Sequence, residues 1–414
     1  MKTENRYYDV TPRILPADSE AEITIRPLYD HCGFAAGKPY GIQHYLMDDS
    51  PTAPKSALAG TYAVKPDKAG RLRFRGYFAG EQEHWVRVTP PPAQNTPAID
   101  FRLFSLQPDL FRRRPFKGDF HIHSNRSDGR ESPAYVAAAC RRIGLDFMAV
   151  TDHYRYAPSL EAMRAFANVK HDLRIFPGEE VHPPEVPVHL VNFGGAFSVN
   201  ALFKTARYRR DLRTMVAEMA ATCRPAVDPY QAAACMWSGA RTREGGGLSI
   251  FCHPYWISGS TYNVSASLNE WMFAHQPFDA FELIGGYHRY ELDCGELQVA
   301  WYNEQRLKGR NPPVVGASDA HGCECGELFS WYYSIVFSPS LDDLLESVRQ
   351  GYSVAVQSLP GDIVRPTGRT ASLNSVSSWP GRSFPFMTNC APKKVDSCWI
   401  MLRAIREPAR RLPG

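Results

Sequence analysis

No apolar run in the 414 residues reaches the roughly 18 positions that a bilayer-crossing helix needs. The opening stretch MKTENRYYDV has no apolar h-region, so no secretory signal is expected and the cytoplasm is the expected compartment. Ten cysteines, at positions 32, 140, 223, 235, 252, 294, 323, 325, 390 and 398, include no CxxC pair. That removes zinc ribbons and dithiol redox motifs and leaves free, buried thiols in a reducing compartment. Cys323 and Cys325 sit in DAHGCEC, but thiolates beside a hydrolytic site are unusual and they are not taken as ligands. An excess of one charge is missing too: the net +4 is small for this length. The basic residues form no continuous stripe interleaved with aromatics, so nucleic acid is possible but not favoured as a partner. No internal repeat is visible.

What is present is a globular composition, 44% hydrophobic and 22% charged, with length enough for two or three domains. Residues 1–110 alternate apolar and polar positions in short runs, as in AEITIRPL, RLRFRGYF, EHWVRVTP and AIDFRLFSL, with turn residues between them. This predicts a small all-β sandwich without a convincing helix. The basic segment FRRRPFKG (111–118) reads as a solvated connector. From there to residue 359 strand, loop and helix repeat. The strands are DFHIH, LDFMAVTDH, LRIFPGEE, PVHLVNFGG, GGLSIFCHP, FDAFELIGG and PPVVGASDAH; the helices include residues 131–144, capped by Ser132, then 159–170, 202–224 and 291–310. Seven strands alternating with helices predict an α/β fold with a parallel sheet, open or closed into a (β/α) barrel. Residues 360–414 are rich in Ser, Pro, Gly and Arg without apolar periodicity and predict a poorly ordered tail.

In a strand, residues two apart share a face, so His121 and His123 of DFHIH can lean toward one ion. Other strands also end in ionisable groups: Asp152 and His153 in TDH, Glu179 and Glu180 in GEE, His253 in CHP, Asp319 and His321 in SDAH, with His189 in the fourth. In a parallel sheet or barrel these ends share one rim, where active sites are built. Burying so many unpaired imidazoles and carboxylates for unrelated reasons would cost several kcal/mol. They are too many for one tetrahedral zinc, and the mixed His and carboxylate set suits two or three ions of Zn, Mn or Fe.

The ordered set DFHIHSNRSDG, TDH, PGEE, HLVNFGG, CHP and SDAH, over residues 119–321, resembles the motifs of the PHP (polymerase and histidinol phosphatase) superfamily. With the preceding β region, the resemblance is greatest to its carbaryl-hydrolase-like branch. It implies a distorted seven-stranded (β/α) barrel with a trinuclear metal site. It further implies that His121, His123, Glu180 and Asp319 hold a first ion, with Glu180 bridging to a second completed by His189 and His253. Asp128, His153 and His321 would hold the third. Of these, His121, His123, Glu180, Asp319 and His321 are expected to carry catalysis. Glu179 stays an alternative to Glu180, and His182 to His189; Asp152 is expected to orient His153 or a helix N-terminus.

Clustered divalent ions lower the pKa of bound water and neutralise charge that develops on an attacked phosphoryl group. The expected activity is therefore metal-dependent hydrolysis of a small-molecule phosphoester by a metal-bound hydroxide, with Arg126 and Arg155 as candidates for the substrate phosphate. Carboxyl or carbamate ester hydrolysis at the same site, nucleotide or nucleic-acid cleavage, and a non-catalytic metal-binding module are the alternatives. The oligomeric state is left open.

Overall fold

The computed structural model describes residues 7–47, 58–92, 97–222, 226–286, 292–324, 329–361 and 365–368. The chain divides into two units, one ending its first stretch at Arg113 and the other starting at Arg114.

The first unit carries β1 (Tyr8–Thr11), β2 (Ile14–Pro16), β3 (Ser19–Pro27), β4 (Tyr40–Leu46), β5 (Leu58–Val64), β6 (Leu72–Phe78), β7 (Gln82–Thr89) and β8 (Ile99–Leu106). They form two sheets, in the orders β1-β3-β6 and β2-β8-β7-β4-β5. Period-two patterning explains which side faces inward. In β6, Leu72, Phe74 and Phe78 are buried while Arg73, Arg75 and Tyr77 face out. Both sheets feed one apolar cluster, with Ile23, Ile25 and Phe74 from the first and Ile42, Val86 and Leu103 from the second. A short helix, α1 (Pro108–Phe111), follows where the sequence showed none, started by a proline whose fixed φ suits a first turn.

The second unit begins with β9 (Arg114–Asp119), α2 (Pro133–Arg142), β10 (Phe147–Ala149), α3 (Ala157–Ala165), β11 (Arg174–Phe176), β12 (Gly178–Val181) and β13 (Leu190–Phe193). It continues with α4 (Val199–Leu202), α5 (Ala206–Thr222), α6 (Pro229–Glu244), β14 (Leu248–Phe251), the β15 (Ile257–Ser258) and β16 (Thr261–Tyr262) hairpin, α7 (Ala266–His275) and β17 (Ala280–Ile284). It ends with α8 (Leu292–Leu307), β18 (Val314–Gly316), β19 (Tyr332–Ser338), α9 (Leu344–Arg349), β20 (Ser353–Gln357) and β21 (Arg365–Gly368).

The architecture is mixed α/β with several sheets, and it corrects the sequence reading in four respects. First, the strands are not all parallel. The sheet β11-β10-β9-β19-β20-β21 includes an antiparallel β9–β19 pair, and β12-β13-β14-β17-β18 is antiparallel at β12–β13 and β13–β14. The link from β12 to β13 is too short to hold a crossover helix, which forces that pair antiparallel. Second, LRIFPGEE is two strands in two sheets, broken at Pro177, which has no N–H to give a ladder. Third, the helix expected over 202–224 is α4 and α5, separated at Thr205, whose hydroxyl accepts the N–H of Tyr208 at 3.2 Å. Helices α6 and α7 were not anticipated. Fourth, no closed barrel forms among the described residues; the two sheets meet at single parallel bridges, Ile122 with Ala320 and His153 with Glu180.

Strand β21 falls inside the stretch expected to be a disordered tail, pairing antiparallel with β20. Residues 369–414 and Cys325 lie outside the described residues. Strands β12, β13, β14 and β17 are buried at every position; the mostly apolar runs of β13, β14 and β17 suit this, whereas β12 buries two glutamates. No described helix is long and apolar enough to cross a membrane.

Candidate metal centre

Past Asp119 the chain stays extended, so alternation sends Phe120 and Ile122 into the core and His121 and His123 together to the other side. The Asp119 carboxylate accepts the N–H groups of His121 at 3.2 Å and Ser318 at 3.1 Å, which ties this segment to the one bearing Asp319. Asp319 and His253 hold positive φ, +50° and +24°. Left-handed backbone at non-glycine residues costs of order 1–3 kcal/mol each, and such strain gathers at functional sites.

Glu179 and Glu180 are neighbours on β12 and therefore face opposite ways. Glu179 accepts from Ser198 Oγ at 2.7 Å, Asn200 Nδ2 at 3.0 Å and Val199 N at 2.5 Å, which consumes it as an anchor for the start of α4. Glu180 faces six imidazoles: His153 Nδ1 at 2.6 Å, His189 Nδ1 at 2.8 Å, His253 Nε2 at 3.3 Å, His182 Nε2 at 3.4 Å, His121 Nε2 at 3.5 Å and His123 Nε2 at 3.6 Å. Both its oxygens are buried and neither has a well-formed hydrogen bond. Asp319 Oδ1 lies 2.9 Å from His123 Nε2 and 3.3 Å from His121 Nε2. Asp128 lies 3.3 Å from both His153 Nε2 and His321 Nε2.

The structure thus brings all nine sequence-named residues together. Their donor atoms fall into overlapping sets: His123, Asp128, His153 and His321; His121, His123 and Asp319; Glu180, His189 and His253. His182 joins His153 and Glu180 in a further set, so it stands beside His189 as well as competing with it. Cys252 also approaches His121 and His253, but its thiol donates to the Ile250 carbonyl at 3.3 Å and burial holds it protonated.

The electrostatics suit a cation. Burial works against charge on Glu180, yet the surrounding histidines, His153 foremost, hold it well below the usual carboxylate range. His121 does the same for Asp319. In return His153, despite burial, is held up to about 10 by Glu180 and Asp128. Burial instead pushes His123 down to about 3 and His189 to about 4. Ionised carboxylates that draw protons onto their imidazole neighbours are asking for positive charge, which divalent ions supply when they displace those protons. The nitrogen and oxygen donor set fits a divalent metal ion. The His321 Nδ1 group donates to the Asp319 carbonyl at 2.9 Å, leaving the Nε2 lone pair for the site.

Exposure is graded. Glu180 and His121 side chains are wholly buried, whereas Asp128 is 56% exposed, so the cluster opens at the Asp128 end. Asp152, expected to orient His153 or a helix N-terminus, is engaged by the loop after His123. It accepts from Ser124 N at 2.6 Å and Ser127 Oγ at 2.7 Å, fixing the turn that leads to Asp128. Arg126 is engaged bidentately by Glu161, at 3.0 and 2.8 Å, and Arg155 is exposed.

Sequence reasoning missed Glu282, whose Oε2 lies 2.9 Å from His121 Nδ1. The available signal was a lone acid inside the fully buried strand AFELI.

No family model matches the chain. Among curated proteins, the DNA polymerase/3'-5' exonuclease PolX of Bacillus subtilis is 32% identical over 98 residues, which are 23% of this chain and 17% of that protein. The chain therefore spans less than a fifth of that relative. Among solved structures, a two-domain protein of Bacteroides vulgatus containing a predicted PHP-like metal-dependent phosphoesterase is similar with a TM-score of 0.41 and 18% identity, over 60% of this chain and 66% of the other. An amidohydrolase of Chromobacterium violaceum is similar with a TM-score of 0.31 and 19% identity, over 50% of this chain and 87% of the other.

Proposed function

We propose that this chain is a metal-dependent phosphoesterase of the PHP type, with an α/β catalytic domain over 111–359, a β-sandwich domain over 1–110 and a tail over 360–414. The observation that carries the reading is one buried carboxylate, Glu180, facing six imidazoles, with Asp319 and Asp128 completing sets on either side. Two or three divalent ions held by His121, His123, Asp128, His153, Glu180, His189, His253, Asp319 and His321 would supply an activated water and charge neutralisation.

The chain's own residues do the rest. Glu180 presents one oxygen toward His189 and His253 and the other toward His153, which suits a bridging role. The buried floor of His121, His123 and Asp319 excludes water and fixes donor directions before substrate arrives. The exposed Asp128 edge is the side from which a phosphoryl group would approach. The partial match to a polymerase and exonuclease supports chemistry at phosphorus.

The test is turnover of a panel comprising nitrophenyl phosphate, bis(nitrophenyl) phosphate, nitrophenyl acetate and a single-stranded oligonucleotide, with Zn, Mn or Fe added. We expect phosphoester hydrolysis, at least a thousand-fold lower in His121→Ala and Asp319→Ala, and loss of bound metal in both. Activity on the acetate alone would replace this reading with ester hydrolysis, as the carbaryl-hydrolase resemblance implies. Undiminished phosphoesterase activity in either variant would refute the site.

A further inference from the structure

A buried carboxylate outside the nine-residue set remains without a role. Glu282 sits in the middle of β17, a strand buried at every position, and is itself fully buried. Strand interiors of this kind are apolar for good reason, since an uncompensated acid there is costly. Local packing leaves Glu282 little freedom. A Cβ built at Gly285 would lie 2.3 Å from Glu282 Oε1, so the glycine three residues on is what makes room for the carboxylate. Gln298 of α8 donates to the Glu282 backbone carbonyl at 3.0 Å and fixes the strand at this point.

Only one end of the carboxylate is used. Oε2 meets His121 Nδ1 at 2.9 Å, while Oε1 has no hydrogen-bond partner among the described residues. The opposite nitrogen of the same ring, Nε2, lies 3.1 Å from His123 Nε2, 3.3 Å from Asp319 and 3.5 Å from Glu180. The ring is therefore strung between a carboxylate outside the cluster and the donor atoms inside it. A hydrogen bond from Nδ1–H to a carboxylate selects the tautomer whose Nε2 carries the lone pair, fixes the plane of the ring and makes Nε2 more basic.

We propose that Glu282 is a positioning residue for metal binding: through His121 Nδ1 it sets the tautomer, aim and donor strength of His121 Nε2. The assignment rests on the metal-centre reading above. Glu282 touches neither ion nor substrate in this role. A bland alternative is that the carboxylate merely fills space beside His121, and the two make different forecasts. A positioning role acts on metal affinity and on the His121 tautomer, whereas a space-filling role acts on the stability of the metal-free protein alone.

The experiment compares the full chain with Glu282→Gln, which keeps shape and removes charge, and Glu282→Asp, which keeps charge and withdraws it by one methylene. Zinc affinity is measured by chelator competition, ring tautomers by nitrogen-15 NMR of histidine-labelled protein, and melting is followed in excess chelator. Outer carboxylate partners of metal-bound histidines are worth about 10- to 100-fold in metal affinity. We expect Glu282→Gln to weaken zinc binding by that factor, to populate the Nδ1 lone-pair tautomer of His121 and to lose turnover in kcat more than in KM, with partial rescue by excess zinc. Glu282→Asp should fall between the two. Wild-type zinc affinity and tautomer in both variants would overturn the assignment. If Glu282→Gln does not fold, Glu282→Asp decides, because unchanged affinity there refutes a role that depends on the carboxylate's reach. Failure of the wild-type chain to bind any divalent metal would instead sink the metal-centre reading itself.

Discussion

At the scale of single residues, the cluster depends on side chains that bind nothing. Gly129 follows Asp128, and a Cβ there would lie 2.7 Å from the carbonyl carbon of His123 and 2.8 Å from its oxygen. Real side chains do not approach backbone so closely. Gly129→Ala must therefore move either the Asp128 turn or the segment carrying His123, although neither metal-facing side chain is altered. Displacements near 1 Å at a catalytic constellation cost about a hundred-fold in rate, while overpacking of this kind destabilises by about 1–3 kcal/mol. The expected variant is folded, holds less metal at the Asp128 end and turns over 10- to 100-fold more slowly. Steady-state kinetics beside metal counting check it, and activity within two-fold of wild type would show the turn to be slack. Asp152 belongs to the same group of supports: through Ser124 and Ser127 it holds the turn from the other side.

Among elements, the first unit contains a polar chain that no motif announced. His44 on β4 and His84 on β7 are fully buried, with His44 Nε2 at 3.0 Å from His84 Nδ1 and His84 Nε2 at 2.7 Å from Ser105 Oγ on β8. Burial lowers His44 to about 4, and burial together with the neighbouring His44 lowers His84 to about 3. Both rings are neutral in the folded sheet, whereas in the unfolded chain they titrate near 6.5. The depressed folded values mean that their contribution is fully present above about pH 6.5 and is lost as pH falls toward 4, because only the unfolded chain takes up protons in that window. At pH 5 each ring forfeits about 2 kcal/mol, about 4 kcal/mol for the pair. Hydrogen exchange on β4 and β7, corrected for its intrinsic pH dependence, should show that loss between pH 7 and pH 5. The double variant His44→Gln, His84→Gln should flatten the slope even if it starts less stable, and an unchanged slope would remove the histidines as its cause.

The same element scale explains what could be read from sequence. The alternating strands of the first unit and the ionisable strand ends of the second were visible, because each is a local pattern: period two in β6, and His121 with His123 two apart. Which of Glu179 and Glu180 faces the cluster was not visible in that local pattern, since it depends on Ser198, Val199 and Asn200 of α4 arriving beside Glu179. Helix α6 was missed although Asp228 caps it, accepting from Tyr230 N, and Pro229 opens it. Its AAACMWSGA stretch is buried on nearly every side and so has no amphipathic period to detect. Antiparallel pairing at β12–β13 hinges on a loop too short to cross over, and Glu282 became meaningful only when β17 set it against His121.

For the whole molecule, the two units should answer differently to metal removal. The second unit gathers Glu180 and Asp319 in its interior with histidines as their main company, and chelation would strip the compensating charge of the divalent ions proposed there. The first unit's described residues include no comparable group of donor atoms. A ligand that binds only the folded state adds RT ln(1 + [L]/Kd), about 4 kcal/mol at a thousand-fold excess over Kd. Chelation should therefore reduce exchange protection in β12, β13 and β14 by roughly that amount, while β3, β6 and β7 at pH 7 keep theirs. Restoring Zn, Mn or Fe should return the protection, and the metal that returns most of it at equal concentration identifies the best-matched ion. Uniform loss across both units would mean that they unfold as one cooperative body, with the metal stabilising all of it. No change in either would mean that the carboxylates are compensated by protonated histidines alone, and the cluster would then be a buried ion-pair network with no cation in it.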